Sequence, residues 1–205
     1  MTRDGNGTAA SFAQTLVLGG ARSGKSRHGQ GLAEASGLNL VFVATAEAHD
    51  GEMASRIARH AAARDARWRL VEAPFDLAAA IAAEARPDRL LLIDCATLWL
   101  SNVMLRGDDV EGACAGFVRA VGAASGPLIV ISNEVGGGIV PESRLGRAFR
   151  DAQGHLNQML AAACETVVLV VAGLPLHLKG AGAASGLGGA APSHRELTEA
   201  PDSAS

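Results

Sequence analysis

The chain has 205 residues, 48% of them hydrophobic but only 3% aromatic, with no tyrosine. That is enough for one domain with a sizeable core, built mainly of Ala, Val, Leu and Ile. A formal net charge of −3 gives no general electrostatic drive toward nucleic acid, so none is expected as partner. No apolar run reaches the roughly 18 residues of a membrane span and no leader-like segment precedes the first motif, so a cytoplasmic protein is expected. Cys95, Cys114 and Cys164 are far apart and show no metal or disulfide spacing.

In chain order, residues 1–13 read as a flexible polar tail. Apolar runs then recur at Thr15–Leu18, Leu40–Val43, Arg69–Val71, Leu90–Asp94, Leu128–Ser132 and Thr166–Val171. Their nearly continuous hydrophobicity suits strands covered on both faces. Ala-rich helical stretches lie between them, clearest at Gly24–Ala35, Glu52–Ala66, Leu77–Ala85 and Glu142–Cys164. This alternation predicts an α/β protein, a mainly parallel sheet with helices on both faces, in a single domain over 14–180. Residues 181–205, rich in Gly, Ala and Ser, cannot bury enough apolar surface to order themselves and read as a second flexible tail.

The first strand leads into "GGARSGKS", which fits G-x-x-x-x-G-K-[ST] at Gly19, Gly20, Ala21, Arg22, Ser23, Gly24, Lys25 and Ser26. A strand before it and a helix after it are the context that a phosphate-binding loop requires. Its N–H groups and the helix N-terminus receive phosphate oxygens, Lys25 reaches the β/γ-phosphates, and the Ser26 hydroxyl is a ligand for Mg²⁺. In "LLLIDC", Asp94 ends a strand where a second Mg²⁺ carboxylate is expected; capping of the helix that follows is its alternative role. There is no N-K-x-D guanine reader, so base specificity is open on motif grounds.

In "DGEMASRIARHAAAR", with Asp50 as N-cap, His60 lies one helical turn from both Arg56 and Arg64. An imidazole there is either packed or a nucleophile toward phosphorus, with the arginines balancing phosphate charge. "VATAE" ends a strand at the ligand edge of the sheet, and Glu72 is either a ribose acceptor or an ordinary exposed carboxylate. Glu134, before three consecutive glycines, is either a base or second-shell metal ligand, or a loop residue.

Together, "GGARSGKSRH", "VATAEAHDGEMASRIARH", "W-R-x-x-E" and "SNEVGGGIVPESRLGRAFRDAQGHLNQ" resemble the adenosylcobinamide kinase/adenosylcobinamide-phosphate guanylyltransferase family over roughly residues 15 to 180. The resemblance implies a three-layer, RecA-like P-loop NTPase domain. It also implies a bifunctional enzyme of cobalamin biosynthesis. ATP or GTP phosphorylates the corrinoid adenosylcobinamide; GTP then guanylylates a histidine, and the GMP passes to the corrinoid phosphate. By motif position the histidine is His60. The nucleotide contacts implied are Gly19 to Ser26, Ala44, Thr45, Ala46, Ala61, Ala62, Ala63, Arg64, Glu72 and Asp94, with a homo-oligomer, the family's trimer. The chain departs from the family pattern in Thr45-Ala46 where Thr-Ser is common, Asp94 where Glu is common, and Ala61 where a polar residue is common. Nothing in the sequence reads as a corrin pocket. Two other readings stand on the residues alone: a nucleotide-dependent switch or binding module, and a plain small-molecule kinase with a structural His60.

Overall fold

A computed structural model describes residues 14–47 and 67–180. Strands β1 (Thr15–Gly19), β2 (Asn39–Ala44), β3 (Trp68–Glu72), β4 (Arg89–Asp94), β5 (Leu128–Asn133), β6 (Thr166–Val171) and β7 (Leu174–Lys179) form one sheet. Their order is β3-β2-β4-β5-β1-β6-β7. Every pairing is parallel except β6 with β7. The helices are α1 (Lys25–Ala35), α2 (Leu77–Glu84), α3 (Ala96–Arg106), α4 (Val110–Gly122) and α5 (Arg144–Ala163).

The uninterrupted apolar strands make sense once both faces are covered, because successive side chains enter different cores. Leu16, Leu18, Leu91, Ile93, Leu128 and Val130 pack with Leu77, Ile81, Trp99, Phe117, Leu156 and Leu160, from α2 to α5. Their sequence neighbours Val17, Leu90, Leu92, Ile129 and Ile131 pack on the opposite face with Ala33 of α1. Gly29 lets α1 sit close, since a Cβ there would lie 2.5 Å from Ile131 Cδ1 and 3.3 Å from Leu92 Cδ1. The result is the expected three-layer, RecA-like α/β architecture. Among the described residues no helix is long and apolar enough to cross a membrane.

β3 is an edge strand with mostly exposed side chains. It is tied inward by Arg69, whose guanidinium donates to both oxygens of Glu84 at 2.7 and 2.6 Å. Arg89 adds a bond of 2.9 Å to the same nearly buried carboxylate. Loss of Glu84 would leave two neighbouring guanidinium groups without the carboxylate they share.

All six strands and three helices expected within the described residues are present, displaced by no more than two residues at their ends. The expected helix over Glu52–Ala66 lies outside the described residues, as do 1–13 and 181–205. The structure adds α4 and β7, and makes a full helix, α3, of what the sequence marked only as the helix following Asp94. α4 carries Gly112, Gly116 and Gly122, which lower helix propensity. β7 contains Pro175, which excludes an interior strand but is tolerated at the sheet edge where β7 lies.

Candidate active site

β1 ends at Gly19, the loop spans Gly20 to Gly24, and α1 starts at Lys25. Arg22 and Gly24 have left-handed backbones, with φ of 57° and 96°. Residues alternating in this way turn successive N–H groups toward a common centre, a concavity suited to anions. Ser23 N–H closes the turn on Gly20 O at 3.2 Å. The N-cap Gly24 has no side chain to cap α1, and Lys25 N–H makes a long contact of 3.4 Å with Ser23 Oγ. Lys25 Nζ donates to Gly20 O at 3.2 Å, so its ammonium lies against the loop.

The loop is held from outside as well. Glu134 N–H donates to Gly19 O at 3.1 Å, and Gly173 N–H donates to Ser23 O at 2.8 Å. Gly173 sits in the β6–β7 turn, where Ala172 and Gly173 both have positive φ, at 52° and 81°.

Asp94 closes β4, with β5 between it and the loop-bearing β1. Cys95, which follows Asp94 in the chain, is buried. Burial first, and Asp94 second, push its thiol up to about 11, while Lys25 opposes the shift. The Asp94–Cys95 peptide is cis. In lateral register, Glu72 pairs with Ala44 and Ala44 with Asp94, so these three share one sheet edge. Gly19 pairs with Asn133 further along the same edge. Glu72 is four strand spacings from Gly19, about 19 Å along the sheet. The structure thus places Asp94 two strands from β1, the strand that leads to Lys25 and Ser26, and leaves Glu72 at the far end of the edge. His60, Ala61, Ala62, Ala63 and Arg64 lie outside the described residues.

Thr45 is fully buried. Its hydroxyl donates to Cys95 O and accepts from Cys95 N–H, both at 2.8 Å. Asn102 Nδ2 donates to Thr45 O at 2.8 Å and to Pro74 O at 3.0 Å. Trp99, packed on Phe117, donates from Nε1 to Phe75 O at 2.6 Å. Thr97 Oγ1 accepts Asn133 N–H at 2.7 Å. α3 therefore stitches together the carboxyl ends of β2, β4 and β5 and the segment after β3. A second buried network backs β5: Asn157 Nδ2 donates to Asn133 O at 3.0 Å, and Gln153 Nε2 donates to Ser132 Oγ at 3.0 Å. No sequence motif assigned these groups a role, although Gln153 and Asn157, four apart, occupy one helix face. Glu134 accepts the Gly136 N–H at 2.7 Å, a contact within its own loop. A mostly apolar cleft of about 300 Å³ lies between α3 and the start of α5, lined by Met104, Leu105, Leu145 and Phe149 among others.

Mg²⁺ at a nucleotide site is usually held by one or two side chains plus substrate phosphates. Among the described residues no group of three or more His, Cys, Asp or Glu could hold a metal ion. Ser26 carries a hydroxyl and Asp94 a carboxylate, donors of the kind that Mg²⁺ takes.

All three cysteines are buried. Burial raises Cys114 to about 11 and Cys164 to about 12, like Cys95. Folding thus favours neutral thiols, and their contribution, complete below the unfolded thiol value, is lost as pH climbs through these raised values. The urea midpoint should fall between pH 7.5 and pH 10.5, and the fall should shrink in a variant with all three cysteines replaced by alanine. With no tyrosine in the chain, phenol ionisation contributes nothing. An equal fall in both proteins would contradict this account.

A glycine loop joining strand to helix, beside a strand-end aspartate on a mostly parallel sheet, defines a P-loop nucleotide-binding α/β protein. A structure from Pyrococcus horikoshii shares this fold with a TM-score of 0.50 at 10% identity, over 83% of this chain and 88% of that one. The chain belongs to the cobinamide kinase/cobinamide phosphate guanyltransferase family, whose model matches residues 15–178. It is 48% identical to the bifunctional adenosylcobalamin biosynthesis protein CobP of Pseudomonas aeruginosa, over 80% of this chain and 96% of that protein. Identity to CobU of Escherichia coli is 38%, over 80% of this chain and 98% of CobU. Family membership favours the bifunctional transferase over the switch and the plain kinase.

Proposed function

We propose that this chain performs both family reactions at the carboxyl edge of its sheet. In the first, the hydroxyl of adenosylcobinamide attacks the γ-phosphorus of ATP or GTP, and a nucleoside diphosphate leaves. In the second, a His60 nitrogen attacks the α-phosphorus of GTP; a P–N bond forms and pyrophosphate departs. An oxygen of the corrinoid phosphate then attacks the same phosphorus, the P–N bond breaks, and adenosylcobinamide-GDP results. Splitting nucleotidyl transfer in this way replaces one difficult displacement by two easier ones.

The loop from Gly19 to Ser26 grips the phosphates through backbone N–H groups, and Lys25 offsets charge that builds on the departing oxygens. Mg²⁺ would be held by Ser26 and Asp94 and would supply further charge neutralisation. Ala44, Ala46 and Glu72 form the remainder of the edge along which a nucleoside extends, with Ala61 to Arg64 beside His60, while Thr45, fully buried, supports that edge from behind. The domain is 14–180, cytoplasmic and part of a homo-oligomer, a trimer, with neither nucleic acid nor membrane as partner.

One observation carries this reading. The family match covers residues 15–178, a span that includes the P-loop, His60 and Asp94. Incubation with α-labelled GTP and Mg²⁺ should leave acid-labile label on the protein. His60→Ala should abolish the label while keeping part of the kinase activity, read as label transfer from γ-labelled nucleotide to adenosylcobinamide. Label that persists in His60→Ala would refute the assignment.

A further inference from the structure

We infer that Thr45, held in place by Asn102, is a positioning residue that fixes Asp94 for its work at the phosphate site. The inference rests on the reading of Asp94 as the Mg²⁺ carboxylate.

The β2–β4 ladder runs in register as far as Ala44 opposite Asp94. One residue further on, the backbone groups of Cys95 no longer follow the ladder, yet Cys95 is buried. Buried N–H and C=O groups must find partners. A single hydroxyl, which can donate one bond and accept another, serves both: Thr45 Oγ1 bonds Cys95 N–H and Cys95 O at 2.8 Å. The peptide joining Asp94 to Cys95 is thereby clamped directly beside the carboxylate-bearing residue. The direct backbone contact from Thr45 N–H to Asp94 O is long, at 3.5 Å, so the side chain does most of the fastening.

Thr45 is itself immobilised. Asn102 spends its two amide protons on Thr45 O and Pro74 O, tying the end of β2 to the segment after β3. On the other side Thr97 bonds Asn133, which is in register with Gly19 at the mouth of the P-loop. A continuous line therefore runs from Pro74 through Asn102, Thr45, Cys95, Thr97 and Asn133 to Gly19. It sets the separation between the aspartate and the phosphate loop. Outer partners of this kind, which touch neither metal nor substrate, commonly alter metal affinity by about 10- to 100-fold.

The test uses the full chain and follows corrinoid phosphorylation against Mg²⁺ concentration at saturating nucleotide. Thr45→Val keeps shape but strips both bonds from Cys95. It should raise the half-saturating Mg²⁺ concentration by about tenfold or more and lower kcat. The nucleotide KM should stay within about twofold, because the P-loop grip is untouched. Thr45→Ser, which retains the hydroxyl, should restore the wild-type Mg²⁺ dependence. Asn102→Ser should shift it in the same direction as Thr45→Val, and serves alone if Thr45→Val does not fold.

Asp94→Asn should reproduce the Mg²⁺ defect, and adding Thr45→Val to it should cost less than about a further twofold. A Thr45→Val or Asn102→Ser protein with lowered Tm but unchanged Mg²⁺ dependence would overturn the inference. Additive effects in the double variant would overturn it as well. An Asp94→Asn protein with normal Mg²⁺ dependence would instead overturn the reading of Asp94 on which the inference rests.

Discussion

Replacing Lys25 by alanine should slow both the γ-phosphoryl transfer and the proposed guanylylation of His60 by about 10²- to 10³-fold, mostly in kcat. The two reactions break different bonds, at the γ- and the α-phosphorus, but both leave negative charge on phosphate oxygens beside the loop. Lys25 Nζ already lies 3.2 Å from Gly20 O, so a short side-chain movement carries it from the carbonyl to a phosphate. Lys25→Arg should recover little, because a planar fork does not replace a compact point charge in so tight a loop. Single-turnover rates with α- and γ-labelled GTP would measure each reaction separately. A variant that loses only nucleotide affinity, with unchanged single-turnover rates at saturation, would show that Lys25 binds without assisting chemistry.

The second large effect is expected at Gly19. A Cβ there would stand 2.7 Å from Val170 O, a backbone atom of the neighbouring strand, and would also press on Ser23 Oγ. A strand carbonyl cannot swing aside as a side-chain end can, so β1 and β6 must separate or the loop must shift. Gly19→Ala should cost about 2–3 kcal/mol, in the usual range for overpacking. For a domain of this size that lowers Tm by about 4–12 °C. It should also abolish measurable nucleotide binding. The control is one residue away: a Cβ at Gly20 meets nothing within 4 Å, and Gly20→Ala should leave Tm within about 2 °C of wild type. Thermal denaturation of the two variants side by side decides the matter, and equal Tm values would refute it.

Much of the architecture was legible because burial on both faces writes itself into sequence. "LLLID" and "LIVIS" have no polar face to hide, and the structure sends alternate residues into two separate cores. α4 escaped because three glycines blur a helical pattern, and β7 because a proline sits inside it. The phosphate loop was legible for a different reason: its glycines and lysine are local in sequence and serve one local shape. The Thr45–Cys95 clamp was not, because its partners are 50 residues apart and the motifs that contain them say nothing of a contact between them. Asn102 reaches 57 residues back to Thr45, and its side chain would pass for an ordinary polar residue on a helix. Sequence left Glu134 open between a base, a residue behind a metal ligand and a loop residue; in the structure its carboxylate accepts the Gly136 N–H.

The contact between Gly173 and Ser23 bears on how portable the phosphate loop is. The eight residues from Gly19 to Ser26 look like a cassette, since they carry the recognisable signature in one uninterrupted stretch. Yet Ser23 O is fastened by a hairpin turn some 150 positions later, and Gly19 O by the residue following β5. A Cβ at Gly24 would stand 3.2 Å from Gly173 Cα, so turn and loop are fitted to each other. Grafted onto another strand and helix, the octapeptide would bring its glycines but not this outer brace. The inheritable unit is the loop together with the last hairpin of the sheet.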